Sequence, residues 1–287
     1  MALVDLALQV LLIVAAPLVV GFSFGLDRRI TARMQNRRGP PLLQPFYDVA
    51  KLLSKQPMII NDVQVFFAGA ALLFQAAAFA LFVGGGDLLI AFFVSGTGSV
   101  SLALGSFSAR SPFSYIGAHR ELLTILSYES VLFLVVVAIG LEGSFLVSEA
   151  PPDLLVTLPL VLVAMVPVLV ILLEKSPFDI ATAHQELVSG PFVEYSGPYL
   201  ALLQVARWFE LAFIYGIVTL FVWSDDLVLS LALKLGLAFI VLFATIVIDN
   251  VTARLTRESM VSFMLSAGVG LVAVNLLLLF VFGAGGF

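Results

Sequence analysis

The sequence predicts an all-α, polytopic membrane protein, and two observations lead to that fold class. Hydrophobic residues make up 61% of the 287 residues and charged residues 11%, with a mean hydropathy of +1.12. A soluble domain carries about a quarter charged residues, so this chain has too few polar side chains to cover a water-exposed surface. The apolar residues also gather in stretches near the ~20 residues that one membrane-spanning helix needs. We therefore expect a single transmembrane domain over residues 1–287.

The apolar stretches predict eight transmembrane helices plus short cytoplasmic or interfacial helices. The predicted spans are residues 4–26, 63–83, 87–105, 116–141, 154–174, 200–223, 228–249 and 260–282. Only residues 84–87 separate the second and third spans, and only residues 224–226 separate the sixth and seventh, so both pairs are expected to form tight antiparallel hairpins. The four-residue spacing of Gly21 and Gly25 predicts close packing against the first span.

The charges predict which connections face the cytoplasm. Of the 14 Lys and Arg residues, all except Arg207 and Lys234 fall in alternate connections, while the other connections carry acidic residues such as Asp87 and Asp225. The positive-inside rule then predicts a multi-pass protein of the cell membrane with both termini outside. The long basic loops 27–62 and 175–199 would lie in the cytoplasm, where we expect them to form a docking face.

Each long loop has a helical pattern of its own. After Pro45, apolar residues recur at helical spacing through Leu53, which predicts a short helix at the membrane surface that serves either as a lipid anchor or as a docking element. In the second loop, Ser176, Pro177 and the Gly190-Pro191 pair have the order of a helix cap, start and stop, which predicts a helix over about 177–189.

Ionisable residues deep in a predicted span are functional candidates, because a charge inside the bilayer is costly. Glu129 lies within the fourth span, Glu210 near the middle of the sixth and Lys234 in the seventh. A purely structural reading stays open for two of these residues. Arg207, three residues before Glu210, would form a static ion pair with it. Lys234 would extend its amine towards the membrane surface. A proton path through these groups is the functional reading.

The second loop adds Asp179, His184 and Glu186. Asp179 either titrates or merely caps the predicted helix, and His184 either lies on the surface or switches charge near neutral pH. Cysteine is absent, which excludes disulfides, thiolate metal sites and cysteine-held iron-sulfur clusters in this chain. The sequence has no motif for nucleotide binding, for a metal site or for a nucleic-acid partner.

Three long segments resemble one known family. They are DRRITARMQNRRGPPLLQPFYDVAKLL at 27–53, SPFSYIGAHRELLTILSYE at 111–129 and SPFDIATAHQELVSGPFVEYSGP at 176–198. Together they resemble the quinone-site membrane subunit of respiratory complex I and its relatives in energy-converting, group 4 nickel-iron hydrogenases. The short connection between Pro40 and LLQPF and the ending EYSGP are similar to the hydrogenase branch.

The resemblance implies roles for matching positions. It implies a proton or ion pathway through Glu129 and an acidic loop with Asp179, Glu186 and Glu194, to which the sequence adds His184, Glu210 and Lys234. It implies a face towards the soluble redox subunits at Arg37, Arg38, Gln44, Asp48, Lys51, Arg120, Lys175 and Tyr195. The sequence departs from the family at Thr182 and His184, where relatives usually carry carboxylates.

The function implied by this resemblance is that of a membrane-anchoring and coupling subunit, which links ferredoxin-driven proton reduction to H⁺ or Na⁺ translocation. The chain would be a non-redox part of an oxidoreductase complex. Its expected partners are hydrogenase large and small subunits, a ferredoxin-like iron-sulfur subunit, an antiporter-like membrane subunit and the lipid bilayer. The nickel-iron centre and iron-sulfur clusters would belong to the partners, with no cofactor in this chain. The alternatives are a quinone-site subunit of a complex I-type dehydrogenase and a stand-alone secondary transporter.

Overall fold

The protein is a bundle of helices. The computed structural model describes residues 2–59, 61–182 and 184–283, apart from the side chains of residues 2–5, 184, 185, 282 and 283. The helices are α1 Ala2–Met34, α2 Gln44–Leu53, α3 Asp62–Val83, α4 Leu88–Ser108, α5 Pro112–Glu142, α6 Leu154–Thr157, α7 Pro159–Leu172, α8 His184–Leu187, α9 Gly197–Leu220, α10 Leu227–Val251, α11 Arg257–Phe263 and α12 Val269–Gly283. Short 3₁₀ turns lie at Val147–Glu149 and Gly190–Phe192, and a π-helical turn at Met264–Gly268 joins α11 to α12.

Seven helical segments of the described chain are long and apolar enough to cross a membrane, and they match seven of the predicted spans. The stretch predicted over 154–174 instead forms the single turn α6 followed by the 14-residue α7. At 1.5 Å per residue, α7 is about 21 Å long, which is short of the ~30 Å apolar core of a bilayer. The all-α polytopic fold is confirmed, while the exact count of eight spans stays a prediction.

Helix α7 lies at the centre of the bundle, where it contacts α5, α9, α10 and α12. Most of its side chains are buried, including Val161, Met165 and Leu169, each with no exposed surface. A helix that is apolar all round is expected to be enclosed by protein or lipid. Burial of most of its surface by neighbouring helices explains why α7 can be shorter than the segments that surround it, although Val163 is exposed.

Asn275 of α12 stabilises the break between α6 and α7. Its Oδ1 accepts a hydrogen bond from Leu160 N at 2.8 Å, and its Nδ2 donates to Thr157 O at 2.8 Å. Both backbone groups belong to helix ends, where no partner within the helix is available. The buried Asn275 side chain therefore completes the hydrogen bonding of the chain where the helix is interrupted.

We expect Asn275→Ala to lower the stability of the protein, because it removes the partner of the partly buried Leu160 N–H and Thr157 C=O. Each unsatisfied group costs about 1–3 kcal/mol. The measurement is the midpoint of thermal unfolding of the purified protein. Asn250→Ala is the matched control, since the Asn250 amide donates within its own helix to Ile246 O and accepts from Gln35 at the exposed end. Equal midpoints for the two variants would contradict the role given to Asn275.

The basic connections meet at one end of the bundle, as the charge pattern predicts. This basic end comprises residues 35–59, 61, 109–111, 173–182, 184–196 and 252–256. Contacts that join these connections or the helix ends beside them include Asn61 with Ser108, Gln35 with Asn250, Lys175 with Asp249 and Asp179 with Arg254. At the opposite end, Leu88 N donates to Phe145 O and Val147 N donates to Gly86 O, so connections 84–87 and 143–153 adjoin each other.

The predicted helix after Pro45 is confirmed as α2, which packs on α1 and α9. Gly25 permits the close approach of the preceding segment, because a Cβ there would lie 1.9 Å from Leu42 O. At Gly21, a Cβ would lie 2.7 Å from the Phe46 ring, which itself packs edge-on against Trp208. The close packing predicted at both glycines is thus confirmed, and it fixes α2 beside α9.

The helix predicted over 177–189 is wrong. Only the turn His184–Leu187 is helical, and the rest of the described segment is a loop. Its backbone is hydrogen-bonded to neighbouring elements: Ser176 N donates to Asp249, and Pro177 O accepts from Leu255 N. These tertiary partners replace the hydrogen bonds that a helix would have supplied.

Candidate functional site

A narrow cavity lies between α3, α4, α5, α7 and α9 and continues to the loop after α7. Its volume of about 40 Å³ exceeds the ~10–15 Å³ that one water molecule requires. Four acidic residues line it: Glu121 of α5, Glu174 and Asp179 of the loop and Glu210 of α9. Four carboxyl groups around a water-sized space make up the main candidate site of the described residues.

A chain of hydrogen bonds leads to Glu210. Its Oε1 accepts from Ser99 Oγ at 2.7 Å and from Tyr128 Oη at 3.0 Å. Gln75 Nε2 donates in turn to Ser99 Oγ at 3.0 Å, and Ser95 Oγ donates to Gln75 Oε1 at 2.8 Å. The Gln75 amide thereby leaves the Ser99 hydroxyl hydrogen free to point at Glu210. This polar chain crosses from α3 through α4 to α9 inside the bundle, and its hydroxyl donors fix the position of the Glu210 carboxylate.

Arg207 does not pair with Glu210 in the way that the helical spacing suggests. Its Nη1 forms a very short ion pair with Glu174 Oε1, and its guanidinium lies 5.5 Å from the centre of the Phe192 ring. The charges of Glu121 and Glu210 also act on Arg207. The static Arg207–Glu210 pair is therefore replaced by one arginine that faces three carboxylates.

Glu121 is a site residue that the sequence analysis did not single out. It is only 8% exposed and lines the narrow cavity with Thr124 and Tyr128. Positions separated by three and four residues share one face of a helix. The spacing of these three polar residues on α5 could have identified Glu121 as a site residue from the sequence.

Glu129 follows Tyr128 but lies beside the narrow cavity and is absent from its wall. Its Oε1 is buried without a hydrogen-bond partner, and it lies against α4, where a Cβ on Gly96 would be 2.9 Å away. The nearby hydroxyl groups of Ser127 and Ser130 donate to carbonyls of their own helix. Glu210 is the charged group that acts on it. A buried carboxyl oxygen without a partner is costly, and it marks Glu129 as a candidate for protonation or for contact with water.

A wide cavity of about 450 Å³ opens at the basic end, between α1, the segment before α2, the ends of α7 and α10 and the first half of α9. Lys175 lies in its wall, 2.5 Å from Asp27 Oδ1 and 3.4 Å from Asp249 Oδ2, with 6% of its side chain exposed. Its amine is held inside the chain, where it compensates the charge of two carboxylates. A docking role for Lys175 stays a prediction.

The acidic loop is bound by Arg120 of α5 and by Arg254 of the connection between α10 and α11. Asp179 accepts from Arg254 at 2.6 Å and from Thr182 Oγ1 at 3.0 Å, so it caps no helix. Glu186 lies 2.7 Å from Arg120. The hydrogen bond from Arg120 lowers the pKa of Glu186, so the bridge is present at neutral pH and is lost as the pH falls through that lowered value. Arg120 thereby connects this loop to α5 and is unavailable as a free docking group.

Two other predicted path residues lie apart from the cavities. Glu194, between the 3₁₀ turn and α9, is half-buried and lines neither cavity. Lys234 of α10 also lines neither, and its Nζ lies 5.0 Å from the Trp223 ring near the opposite end of the bundle. The side chain of His184 lies outside the described residues. Pathway roles for these three residues stay predictions.

The predicted docking residues separate into exposed and internal groups. Arg37, Arg38 and Lys51 are exposed at the basic end, whereas Asp48 accepts from Gln44 at 2.9 Å and from Arg28 at 3.0 Å. Tyr195 is 5% exposed, and burial raises the pKa of its hydroxyl. Tyr195 is thus an internal residue of this chain, and its docking role stays a prediction.

The family model described as NADH dehydrogenase matches residues 7–280. The chain belongs to the NADH dehydrogenase family. Hydrogenase-4 component C of Escherichia coli is 33% identical over 222 residues, 71% of this chain and 68% of that protein. Formate hydrogenlyase subunit 4 of the same organism is 32% identical over 206 residues, 65% of this chain and 66% of that protein. The fold is also found in a chain of the membrane-bound sulfane sulfur reductase, an archaeal respiratory membrane complex, with a TM-score of 0.83 and 24% identity over 94% of this chain and 98% of that one.

Membership of the NADH dehydrogenase family confirms the resemblance predicted from the three motifs. It identifies the chain as a multi-pass membrane subunit of a complex I-like oxidoreductase complex. The described residues include no group of three or more His, Asp and Glu side chains arranged to hold a metal ion.

Proposed function

We propose that this chain is the membrane-anchoring and coupling subunit of an energy-converting hydrogenase, linking ferredoxin-driven proton reduction, or its reverse, to H⁺ or Na⁺ translocation. The observation that carries the proposal is the group of four carboxylates around the narrow cavity, Glu121, Glu174, Asp179 and Glu210. Buried acids beside a water-sized space can take up and release protons, whereas acids without such a function are rarely retained inside a membrane domain. A neighbour's redox reaction can then be linked to protonation inside the bundle.

The hydrogenase branch is supported by the two relatives that are themselves named for hydrogen metabolism, at 33% and 32% identity. It is also supported by the short connection after Pro40 and by the EYSGP ending. On this proposal the nickel-iron and iron-sulfur groups belong to the hydrogenase large and small subunits and to a ferredoxin-like subunit. The chain itself performs no redox chemistry.

The proposed route starts at the loop held by Arg120 and Arg254. A redox or protonation change in the docked subunits alters the electrostatic environment of Asp179 and Glu186. That change alters the protonation of the carboxylates in the narrow cavity and then that of Glu129. From Glu129 the route continues to an antiporter-like partner subunit. The basic end faces the cytoplasm in this proposal, and both termini face outwards.

A quinone-site subunit is the second candidate, and the wide cavity is the observation that favours it. Its wall combines apolar groups such as Phe24 and Trp208 with Arg28 and Asp249. Walls of this mixed kind are typical of small-molecule sites, where apolar surface contributes affinity and a few polar groups fix orientation. Sensitivity of the intact complex to quinone-site inhibitors would favour this candidate.

The experiment that tests the proposal is purification of the intact complex through a tag on this chain, followed by identification of its subunits. We expect a nickel-iron large subunit and an antiporter-like chain, and hydrogen evolution from reduced ferredoxin that is accompanied by ion uptake in membrane vesicles. A complex that contains an NADH-oxidising module and no nickel would contradict the hydrogenase assignment. Ion transport by the purified chain alone would instead favour a stand-alone transporter.

A further inference from the structure

The narrow and wide cavities meet at a single place. Three residues line both of them: Leu172, Glu174 and Arg207. The cavities differ about tenfold in size, at about 40 and 450 Å³. Whatever passes between the basic end and the buried carboxylates by way of the two cavities must therefore pass these side chains.

The Arg207–Glu174 ion pair occupies this boundary. The Arg207 side chain is 17% exposed and that of Glu174 is 32% exposed, so the pair is partly buried. The ring of Phe192 covers the guanidinium within cation–π range. The pair is thus held in the wall and does not extend into open solvent.

The backbone at Glu174 is also unusual. Its φ is +52°, in the left-handed region that residues other than glycine and asparagine seldom adopt. The conformation is fixed locally, because Glu174 N donates to Ile171 O and Lys175 N donates to Val170 O. This turn aims the Glu174 carboxylate at α9. Strained backbone of this kind is concentrated at functional sites.

Arg207 has more than one possible partner. The charges of Glu121 and Glu210 act on it from within the narrow cavity, while Glu174 binds it at the boundary. Since the Glu210 carboxylate already accepts from Ser99 and Tyr128, its charge is partly compensated when Arg207 is bound to Glu174. A change in charge on the deeper acids would alter which carboxylate holds the guanidinium.

We propose that the Arg207–Glu174 ion pair is a partition between the two cavities, which opens when the guanidinium moves from Glu174 towards Glu121 and Glu210. Arg207 and Glu174 are then positioning residues, which control access and do not themselves donate the transported proton. The inference rests on the proposed function for the identity of the species that crosses. The partition controls only the passage of small molecules from the wide cavity to the narrow one. It can therefore be tested by measuring that access, without measuring ion pumping.

The chain is well suited to an access experiment because it contains no cysteine. Thr124→Cys places one thiol in the narrow cavity, and Thr31→Cys places one in the wide cavity. The purified complex is treated with 2-aminoethyl methanethiosulfonate, a small water-soluble thiol reagent. The rate of modification is read from the mass of the labelled peptide of this chain, so cysteines of partner subunits do not interfere.

With the ion pair intact, we expect Thr124→Cys to react at least about tenfold more slowly than Thr31→Cys. Addition of Glu174→Asn, which tolerates the left-handed backbone, is expected to raise the rate at Thr124→Cys by about tenfold, because it removes one member of a partly buried pair. The rate at Thr31→Cys should stay within about twofold. Arg207→Gln removes the other member and should act in the same direction, while Arg207→Lys retains a cation and should keep the slow rate.

An unchanged rate at Thr124→Cys in both Glu174→Asn and Arg207→Gln would overturn the partition. An equal acceleration at Thr31→Cys would also overturn it, since that result indicates general loosening of the bundle. Failure of the proposed function is a separate result: altered access together with ion pumping that persists in Glu129→Gln would retain the partition and reject the proton route. Labelling of Thr124→Cys that stays slow in Glu174→Asn and in Arg207→Gln, together with loss of pumping in Glu129→Gln, would reject the partition and retain the proton route.

Discussion

Replacement of Glu129 by glutamine is expected to leave the complex assembled and to abolish the ion pumping that accompanies hydrogen turnover. Glutamine has nearly the shape of glutamate and fits the same space against Gly96. The buried Oε1 has no hydrogen-bond partner to lose, so assembly should be unaffected. The amide cannot carry a proton, however, and loss of a proton-transfer group typically costs ~10²–10⁴-fold in rate. The measurement is the number of ions taken up by vesicles per H₂ evolved.

Glu142→Gln is the matched control for this experiment. Glu142 is the last residue of the same helix, α5, and it lines neither cavity. The control removes one carboxylate from α5 without changing the site, so both hydrogen evolution and pumping should be retained. Undiminished pumping in Glu129→Gln would remove this residue from the mechanism. Equal losses in both variants would point to a general effect of charge on α5.

Hydropathy predicts most of this fold because each span must bury its own backbone hydrogen bonds in lipid. The span predicted over 63–83, for example, is the helix Asp62–Val83. The same reasoning fails for the segment 177–189, where local cap and stop residues predict a helix. There, Asp249 and Leu255 from a distant part of the chain bind the backbone. Contacts between residues so far apart in the chain cannot be predicted from the local sequence.

The site was predictable only in part, for a related reason. Depth in a span singles out Glu129 and Glu210, since a charge there is costly wherever the neighbours lie. Glu174 falls at the end of a predicted span, so its position gave no such signal. The partner of Arg207 was assigned by spacing along one helix, whereas the guanidinium reaches Glu174 on another element. Pairing between elements depends on the packing angle of α9 and on the turn after α7. Neither can be predicted from the spacing of residues along one helix.

Reversal of the two exposed charges at Arg37 and Arg38 is expected to release the soluble redox subunits from the membrane. Both side chains are exposed at the basic end, and the hydrogen bond of Arg37 is made to the neighbouring Gln35. Arg37→Glu with Arg38→Glu therefore changes the local charge by four units without breaking an ion pair of the described residues. Like-charge contacts at an interface cost several kcal/mol, enough to lower the occupancy of the docked arm by about a hundredfold or more.

The experiment is quantitative co-purification of the hydrogenase subunits with this tagged chain, at low and high salt. The control reverses two acidic residues at the opposite end, Glu149→Lys with Asp225→Lys, both of which are exposed. The control should retain the full set of subunits, because those residues lie away from the basic connections. If the arginine variant also retains the soluble subunits at normal stoichiometry, the docking face does not include Arg37 and Arg38. Neither variant changes the internal ion pairs of Lys175 and Arg120. If only the arginine variant loses the soluble subunits, the loss is therefore due to the exposed basic surface and not to a change in the helix bundle.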